Sequence, residues 1–206
     1  GEARARAAGA PDVLGAAAVC GNLAQALSGT VLAGALTGRR REWSAPVRSL
    51  RGFCAEAVAA ALSGEVALVF GTERHGLSNE ELALCHVPVA IPADSAYPSL
   101  NLAAAVQVVA YELRMAALGN PVVVVAPADA PATFDQIEGL IDDLHRRLLD
   151  CGFLDPHNPR RLMPRLRRLL ARARLEREEV NLLRGMLRAL DTKAASDKVD
   201  QNTRTI

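Results

Sequence analysis

The sequence predicts an α/β protein that is built around a parallel β-sheet. Three short runs of nearly continuous apolar residues have the composition of strands that are buried on both faces. Segments with helical periodicity separate these runs, and strands that alternate with helices form parallel sheets through right-handed crossovers. The predicted strands are Val31–Leu36, Val66–Phe70 and Val87–Ile91.

Capping signals and apolar periodicity predict four helices around these strands. Two of the helices begin with residue pairs that have the spacing of a capping box, Asn22 with Gln25 and Ser78 with Glu81. Glycines that follow the helices are typical of helix ends. The predicted helices start at Asn22, Ser49, Ser78 and Leu100, and they end before Gly29, at Leu62, before the third strand and before Gly119.

The second half of the chain has a different pattern, which divides the sequence into two parts. Residues 1–118 form the predicted α/β domain, and the prolines of residues 119–132 predict a linker in which the four valines could form an edge strand. Residues 133–191 predict a helical extension, and the polar residues 192–206 predict a disordered tail. The expected helices of the extension are Phe134–Cys151 after a Thr133–Gln136 capping box, one that Asn158 caps and Pro164 kinks or shortens, and Arg172–Leu190.

The cysteine and hydropathy patterns argue against several classes of protein. Cys20, Cys54, Cys85 and Cys151 form no CxxC pair, so neither a zinc site nor a disulfide framework is predicted, and no metal is expected. No stretch approaches the ~20 continuous apolar residues of a membrane helix, and the first residues lack the apolar core of a signal peptide. These patterns predict a protein of the reduced cytoplasm without a membrane partner.

Two arginine clusters point to a polyanionic partner. The formal net charge is only +1, but seven arginines and no acidic residue lie between residues 160 and 174. A second cluster comprises Arg39, Arg40 and Arg41. A single arginine is more often part of a solvated surface, whereas two such clusters together create a local field that favours a polyanion such as nucleic acid.

Two strand-to-helix turns contain the best candidates for a binding site. Gly71 ends the second strand and permits a close approach to its backbone, and Ile91 ends the third strand. Ligands of open α/β sheets bind beyond the carboxyl ends of the strands, and the helix that begins at Leu100 offers free N–H groups. Either turn alone is also typical of an ordinary connection. The chain has no dinucleotide-binding motif, which disfavours an oxidoreductase, and His86 beside Cys85 is predicted to be a packing residue.

Taken together, the motifs resemble those of a known enzyme family. FGTERHGLSNEEL, followed by IPADSAYPSLNLAAAVQVVAYE, resembles the second and third motifs of the SpoU branch of the SPOUT methyltransferases. The loop ALTGRRREWSAP and the extension GFLDPHNPRRLMPRLRRLLARARLEREEVNLLRGMLRAL are similar to those of TrmJ-type tRNA ribose methyltransferases. The resemblance spans residues 3–190 and includes several motifs in order.

The resemblance implies both a fold and an activity. In the SPOUT fold, a deep trefoil knot at the C-terminal part of the parallel sheet forms the pocket for S-adenosylmethionine. The family resemblance also implies a homodimer whose active site is completed by the second subunit. The expected reaction is methyl transfer to a ribose 2′-hydroxyl of tRNA, at a pyrimidine at the start of the anticodon loop, with ribosomal RNA as the alternative substrate.

The resemblance further implies roles for individual residues. The expected catalytic residues are Ser99, Asn101 and Glu73, of which the first two are also typical helix caps. The expected cofactor-binding residues are Leu36, Thr37, Gly38, Gly71, Ile91, Pro98, Ser99 and Leu100. The expected RNA-binding residues are Arg39, Arg40, Arg41, Arg74, Arg165, Arg167 and Arg168.

One motif of the family has no counterpart in this sequence. SpoU-type enzymes carry a first motif, with an asparagine and an arginine, on an early helix, and this chain matches the family downstream of that motif. Two functions are therefore left open: an RNA 2′-O-methyltransferase, and a non-catalytic RNA-binding dimer that keeps the cofactor pocket. Because the family's arginine is expected to aid hydroxyl deprotonation, the chain as given is expected to be a poor methyltransferase.

Overall fold

A computed structural model describes residues 9–38, 46–94, 100–119 and 129–203, with side chains described as far as Leu190. The strands in these ranges are β1 Thr30–Leu36, β2 Arg48–Ser49, β3 Glu65–Val69 and β4 Val87–Ala90. The helices are α1 Pro11–Gly15, α2 Leu23–Leu27, α3 Leu50–Ala60, α4 Asn79–Leu84, α5 Leu102–Leu118, α6 Phe134–Asp150, α7 Leu162–Ala173 and α8 Arg177–Thr203. The four strands form one sheet of order β2-β4-β1-β3, in which each pair is parallel.

The parallel α/β sheet predicted from the apolar runs is confirmed, and its three longer strands fall within one residue of the predicted bounds. In the register of the sheet, Ala33 of β1 lies opposite Ala67 of β3, and Ala35 lies opposite Pro88 of β4. The fourth strand, β2, was not predicted because its two residues are polar and exposed. It therefore carries no apolar signal.

The centre of the sheet is buried on both faces. Leu32 of β1 packs with Phe53 of α3 in the core on one face. The adjacent Ala33 belongs to a second core, which includes Leu27 of α2 and Phe134 of α6. Neighbouring residues of a strand point to opposite faces, so burial on both faces makes the whole strand apolar.

Side-chain caps fix the starts of the short helices. The capping box of Ser78 and Glu81 is confirmed at α4: the Glu81 N–H donates to Ser78 Oγ at 3.0 Å, and the Ser78 N–H donates to Glu81 Oε2 at 2.7 Å. Asn22 caps α2 as expected, but the Gln25 side chain accepts from the N–H of Gly21 rather than from that of the cap. The predicted Asn22–Gln25 capping box is therefore only half formed.

The second helix of the extension begins later than predicted. α7 starts at Leu162 and follows Arg161, which makes no side-chain cap, so Asn158 is not the cap of this helix. Pro164 occupies the first turn, where an N–H has no intrahelical partner, and its ring therefore costs no helical hydrogen bond. The helix runs from Leu162 through Pro164 to Ala173, so of the two expected effects of Pro164 the structure shows the shortened start.

The last predicted helix, Arg172–Leu190, is divided in the structure. α7 ends before Arg174, which has a left-handed φ of 53°, and α8 begins at Arg177. The backbone of α8 is helical as far as Thr203, which differs from the predicted disordered tail. Residues 192–203 contain neither glycine nor proline, so the local sequence has no strong helix breaker.

The helical extension has its own small core and an ion-pair cluster. Leu140 of α6 and Val180 of α8 belong to one buried cluster. Nearby, the nearly buried Asp143 accepts a hydrogen bond from Arg184 Nε at 2.7 Å and pairs with Arg146. Burial alone would raise the pKa of Asp143, but the hydrogen bond and charge of Arg184, with the charges of Arg146 and Arg188, more than offset this effect, and the pKa is lowered. The ionised carboxylate thus holds α6 against α8.

The four cysteines are free thiols. Burial raises the pKa of Cys54 to about 11 and that of Cys85 to about 12, so both thiols stay protonated and unreactive at neutral pH. Across the described ranges, none of the helices has the length and apolar character needed to cross a membrane.

A pair of glycine substitutions tests the packing of β1. A Cβ at Gly34 would lie 2.4 Å from Cζ of the buried Phe53, so Gly34→Ala is expected to destabilise the fold by ~1–3 kcal/mol through overpacking. Gly185 of α8 has no atom within 4 Å of such a Cβ, so Gly185→Ala should stabilise the helix by about 0.5–1 kcal/mol. Denaturant unfolding of both variants measures the two effects. A neutral Gly34→Ala would contradict the close packing of β1 on Phe53.

Candidate functional site

The carboxyl ends of three strands meet at one edge of the sheet. β1 lies between β3 and β4, and all three run parallel, so the loops that follow them are neighbours. The pairing of β1 with β4 continues one residue further, because the Thr37 N–H donates to the carbonyl of Val89 at 2.9 Å. The loops surround a cavity of about 260 Å³. It is lined by Leu36, Thr37, Gly38, Phe70, Gly71, Thr72, Glu73, Arg74, His75, Gly76, Leu77, Ile91, Leu100, Leu102 and Ala105.

This cavity brings together most of the residues expected to bind a cofactor. The predicted residues that line it are Leu36, Thr37, Gly38, Gly71, Ile91 and Leu100. The other two, Pro98 and Ser99, lie outside the described residues. Glu73 and Arg74, predicted for catalysis and RNA binding, line the same cavity. The structure therefore gives these residues a common location, while their roles stay predictions.

Asn101 has a structural role that was also expected. Its side chain caps α5, because Oδ1 accepts a hydrogen bond from the Ala104 N–H at 2.7 Å. Asn101 is not among the residues that line the cavity, although both of its chain neighbours are. Its Oδ1 is thus engaged in the cap, and the amide Nδ2 is the group that this bond leaves for a ligand.

The turn after β3 explains the two glycines that bracket its polar residues. The Gly76 N–H donates to the carbonyl of Thr72 at 2.8 Å, and Gly76 has a φ of +68°, which favours glycine. A Cβ at Gly71 would lie 2.1 Å from the carbonyl carbon of Gly76 and 2.3 Å from the Leu77 nitrogen. The chain therefore folds back against Gly71 itself, and a side chain there would disturb this turn before it reached any ligand.

Several lining residues were not singled out from the sequence. Thr72, His75 and Leu77 lie within or beside the glycine-bracketed turn, so membership of that motif was the available signal. Ala105 lies one turn into α5 and carries no chemical signal. Only the packing of α5 beside the turn places its methyl group at the cavity.

His86 lies at the opposite end of β4 and has a structural role, as predicted. The Ala33 N–H donates to its Nδ1 at 3.0 Å, and the His86 N–H donates to the Ala33 carbonyl at 2.9 Å. Burial, with a contribution from the charge of Arg174, lowers the pKa of His86 to about 4. The ring is therefore neutral at physiological pH, and it extends the pairing of β1 with β4.

The arginines of residues 160–174 differ in their surroundings. Arg167, which was expected to bind RNA, is half-buried and forms an ion pair with Glu138 of α6, with Nη2 3.0 Å from Oε2. Arg174 pairs with Glu56 of α3 at 2.7 Å. These two side chains therefore neutralise internal carboxylates. Arg172, by contrast, is exposed on the surface of α7.

The remaining arginines expected to bind RNA fall into three groups. Arg165 is exposed on α7, and Arg168 on the same helix is partly exposed. Arg74 is exposed at the cavity. Residues 39–41 lie outside the described residues.

Two family models match this chain on either side of residues 112–134. The SpoU rRNA Methylase family model matches residues 1–111, and the model of the C-terminal domain of the tRNA methyltransferase TrmJ matches residues 135–200. The chain belongs to the TrmJ-type SpoU methyltransferases. The family resemblance read from the motifs is thereby confirmed.

Named relatives of this TrmJ-type chain agree with the family models. It is 45% identical over 195 residues to the tRNA (cytidine/uridine-2′-O-)-methyltransferase TrmJ of Klebsiella pneumoniae. This match covers 92% of this chain and 80% of the Klebsiella protein. It is 46% identical over 199 residues to the tRNA (cytidine/uridine/adenosine-2′-O-)-methyltransferase TrmJ of Pseudomonas aeruginosa. This match covers 91% of this chain and 77% of the Pseudomonas protein.

Solved structures of similar proteins have the same α/β fold. The crystal structure of TrmJ from Z. mobilis ZM4 matches this chain with a TM-score of 0.76 and 30% sequence identity. The match covers 90% of this chain and 78% of the TrmJ chain. The structure of a probable methylase family protein from Haemophilus influenzae matches with a TM-score of 0.54 and 35% sequence identity. This match covers 95% of this chain and 81% of the Haemophilus chain.

Proposed function

We propose that this TrmJ-type chain transfers a methyl group from S-adenosylmethionine to a ribose 2′-hydroxyl of tRNA, at a pyrimidine at the start of the anticodon loop. The observation that carries the proposal is the cavity, because the loops of three motifs meet there at the carboxyl ends of the strands. The relatives named as tRNA 2′-O-methyltransferases support the choice of substrate.

The residues of the cavity fit S-adenosylmethionine. Leu36, Phe70 and Ile91 supply apolar walls that suit an adenine ring, and the backbone of the strand ends supplies hydrogen-bonding groups. The carboxylate of Glu73 favours a positively charged ligand. When bound, the cofactor supplies a methyl group on a sulfonium, which is a good leaving group. Together with Thr37, Gly38, Gly71 and Leu100, and with Pro98 and Ser99, these residues form the proposed binding site.

The protein's part in the reaction is to position a hydroxyl and to remove its proton. The bond from the ribose oxygen to the methyl carbon forms as the bond from sulfur to that carbon breaks, and the hydroxyl proton passes to an acceptor. Alignment alone contributes much of the acceleration, and a proton acceptor contributes ~100- to 10,000-fold. We assign the orientation of the hydroxyl to Ser99 and Asn101, and the organisation of the pocket to Glu73.

A direct assay tests this proposal. The chain as given is expected to methylate an unmodified tRNA transcript at a ribose 2′-oxygen, but slowly. Ala105→Phe should lower the affinity for S-adenosylmethionine at least about tenfold, or 1.4 kcal/mol, because Ala105 lines the cavity and the added ring would occupy it. Calorimetry measures the affinity, and nuclease mapping locates the methylated nucleotide.

The control for this assay is Ala103→Phe on the same helix. Ala103 is exposed and shares a face with Gln107 and Arg114 by helical spacing, so its variant should bind the cofactor as the wild type does. Binding of tRNA without methyl transfer would favour the non-catalytic RNA-binding dimer. Methylation of a ribosomal RNA fragment but not of tRNA would favour the alternative substrate.

The exposed side of α5 supports the proposal of a homodimer. Tyr111, Met115 and Leu118 recur at intervals of four and three residues and form an exposed apolar stripe. Tyr111 is 58% exposed, Met115 47% and Leu118 61%. The same helix therefore bounds the cavity, through Leu102 and Ala105, and carries this stripe.

A charge placed on the stripe tests the dimer. Met115→Glu is expected to convert the dimer to monomers at micromolar concentration, because an unpaired carboxylate would be buried in the interface. Sedimentation equilibrium measures the mass. Ala117→Glu introduces the same group at an exposed position on a different side of α5 from Met115 by helical spacing, and it should leave the dimer intact. A wild-type monomer, or a Met115→Glu dimer, would contradict the proposed interface.

We assign tRNA phosphate contacts to the exposed arginines of α7 and to Arg39, Arg40, Arg41 and Arg74. Arg167 is removed from the expected set because its charge is paired with Glu138. Replacing Arg167 would break this pair between α7 and α6, so a loss of binding in that variant would not report on RNA contacts alone. The remaining expected residues of α7 are Arg165 and Arg168, and exposed Arg172 joins them.

Salt dependence distinguishes phosphate contacts from solvated arginines. Arg168→Gln and Arg172→Gln are each expected to lower the slope of log affinity against log salt by about one unit, because one phosphate contact is lost. Filter binding to tRNA over a range of potassium chloride measures the slope. Arg177→Gln, which removes an arginine paired with Asp129, is the control for loss of charge. If neither α7 variant changes the slope, Arg168 and Arg172 make no phosphate contact and are solvated surface residues.

The finer features implied by the family complete the proposal. They are the trefoil knot, the cytoplasmic location, and the division into a methyltransferase domain of residues 1–118, a linker of residues 119–132 and a helical extension of residues 133–191. The SpoU family-model match and the likeness to the solved TrmJ structure support the knot. The two family-model matches, to residues 1–111 and 135–200, support the division.

A further inference from the structure

Glu56 of α3 lies between two arginines that come from different parts of the chain. Its Oε1 is 2.7 Å from Arg174 Nη2, and its Oε2 is 2.7 Å from Arg48 Nη1. Arg48 belongs to β2, immediately before α3, whereas Arg174 lies 118 residues away from Glu56, between α7 and α8. One carboxylate therefore joins the helical extension to the methyltransferase sheet.

The backbone at Arg174 is unfavourable for a residue with a side chain. Arg174 ends α7 in the left-handed conformation, with φ 53° and ψ 55°, where glycine is the residue most often found. Its guanidinium is partly buried, and burial, together with the charge of Arg48, lowers its pKa. Both the backbone and the desolvation disfavour an arginine here. The ion pair with Glu56 is the described interaction that offsets these costs.

The extension contacts the α/β part at the start of α6, at Arg174, and between α7 and α4. At the start of α6, Asp135 Oδ2 accepts hydrogen bonds from Ser28 Oγ at 3.0 Å and from the Gly29 N–H at 2.8 Å, and Phe134 packs in the core of the sheet. The second place is the pair of Arg174 with Glu56. A cavity of about 380 Å³ lies between them, with Phe134, Glu56 and Arg174 among its lining residues. Since close packing is interrupted there, the ion pair restrains the angle of α7 together with the contact of α7 with α4 and the Arg167–Glu138 pair with α6.

We propose that the Glu56–Arg174 ion pair is a positioning element, which holds the arginine-bearing α7 at the angle that lets one tRNA contact both the extension and the catalytic domain. The inference rests on the proposed function, since it concerns how the same substrate is bound. Two binding surfaces that are held in register engage one ligand more tightly, because the second contact then needs no further ordering. Without the pair, each surface would still exist, but their simultaneous engagement would be weaker.

The variant Arg174→Gly separates this role from a contribution to stability. Glycine adopts the left-handed conformation without strain, so the melting temperature should change little, while the ion pair is lost. The Kd for tRNA is expected to rise about 5- to 10-fold, the lower range of coupling between sites. The Kd for S-adenosylmethionine and kcat at saturating tRNA should stay unchanged, so that the loss appears in KM for tRNA.

Three further variants complete the test. Glu56→Gln should raise the Kd for tRNA as Arg174→Gly does, and the double variant should be no worse than either one, because both remove the same interaction. Arg174→Lys should retain part of the affinity, since it keeps a positive charge. Arg177→Gln, three residues away and paired with Asp129, removes an equal charge and should change the Kd less than twofold if the effect is positional.

The outcomes distinguish the two levels of the proposal. A wild-type protein that neither binds nor methylates tRNA overturns the proposed function, and the positioning role with it. If the wild type is active and Arg174→Gly binds tRNA as tightly, only the positioning role is overturned. The melting temperature and the cofactor affinity could also fall, together with the tRNA affinity, in both Arg174→Gly and Glu56→Gln. That result would identify the ion pair as a general stabiliser of the fold, and it would also overturn the positioning role.

Discussion

The burial of β1 on both faces is the constraint on which the rest of the structure depends. Its residues alternate between two cores, and Gly34 accommodates the ring of Phe53 because it has no side chain. β1 also pairs on both edges, with β3 and with β4, so its backbone is held from four sides. The carboxyl ends of all three strands are thereby brought together. The candidate site is the consequence, since its cavity is formed by the loops that follow these ends.

Much of this arrangement could be predicted from local sequence. Strands buried on both faces are apolar throughout, so β1, β3 and β4 were identified to within one residue. Helix starts with side-chain caps, such as Ser78 and Thr133, were equally accessible because the hydrogen-bond partners lie three residues apart. The meeting of the Gly71 and Ile91 turns at one cavity followed from parallel topology. In each case the decisive interaction is local or is imposed by the sheet.

The features that were missed depend on contacts between residues far apart in the chain. β2 forms because Arg48 lies opposite Val89, and two exposed polar residues cannot reveal that pairing. The reason for a glycine at position 71 also changed: the Gly76–Leu77 backbone, rather than a ligand, occupies the space of its Cβ. The left-handed break at Arg174 interrupts what reads as one continuous helix. Local propensity does not place it there, because the Glu56 partner is 118 residues away.

The arginines of α7 show how such distant contacts divide a charge cluster by function. In the sequence, Arg167, Arg168, Arg172 and Arg174 are equivalent members of a basic run. In the fold, acids from α6 and α3 form ion pairs with Arg167 and Arg174. A half-buried ion pair fixes geometry, because an unpaired charge in the same place is costly. Arg172, on the exposed side, contributes a field that reaches solvent. One helix can therefore be anchored to the protein by some of its arginines while it offers others to a polyanion. The positions of the acidic residues, rather than the number of arginines, decide which arginines form internal ion pairs and which stay available for a polyanion.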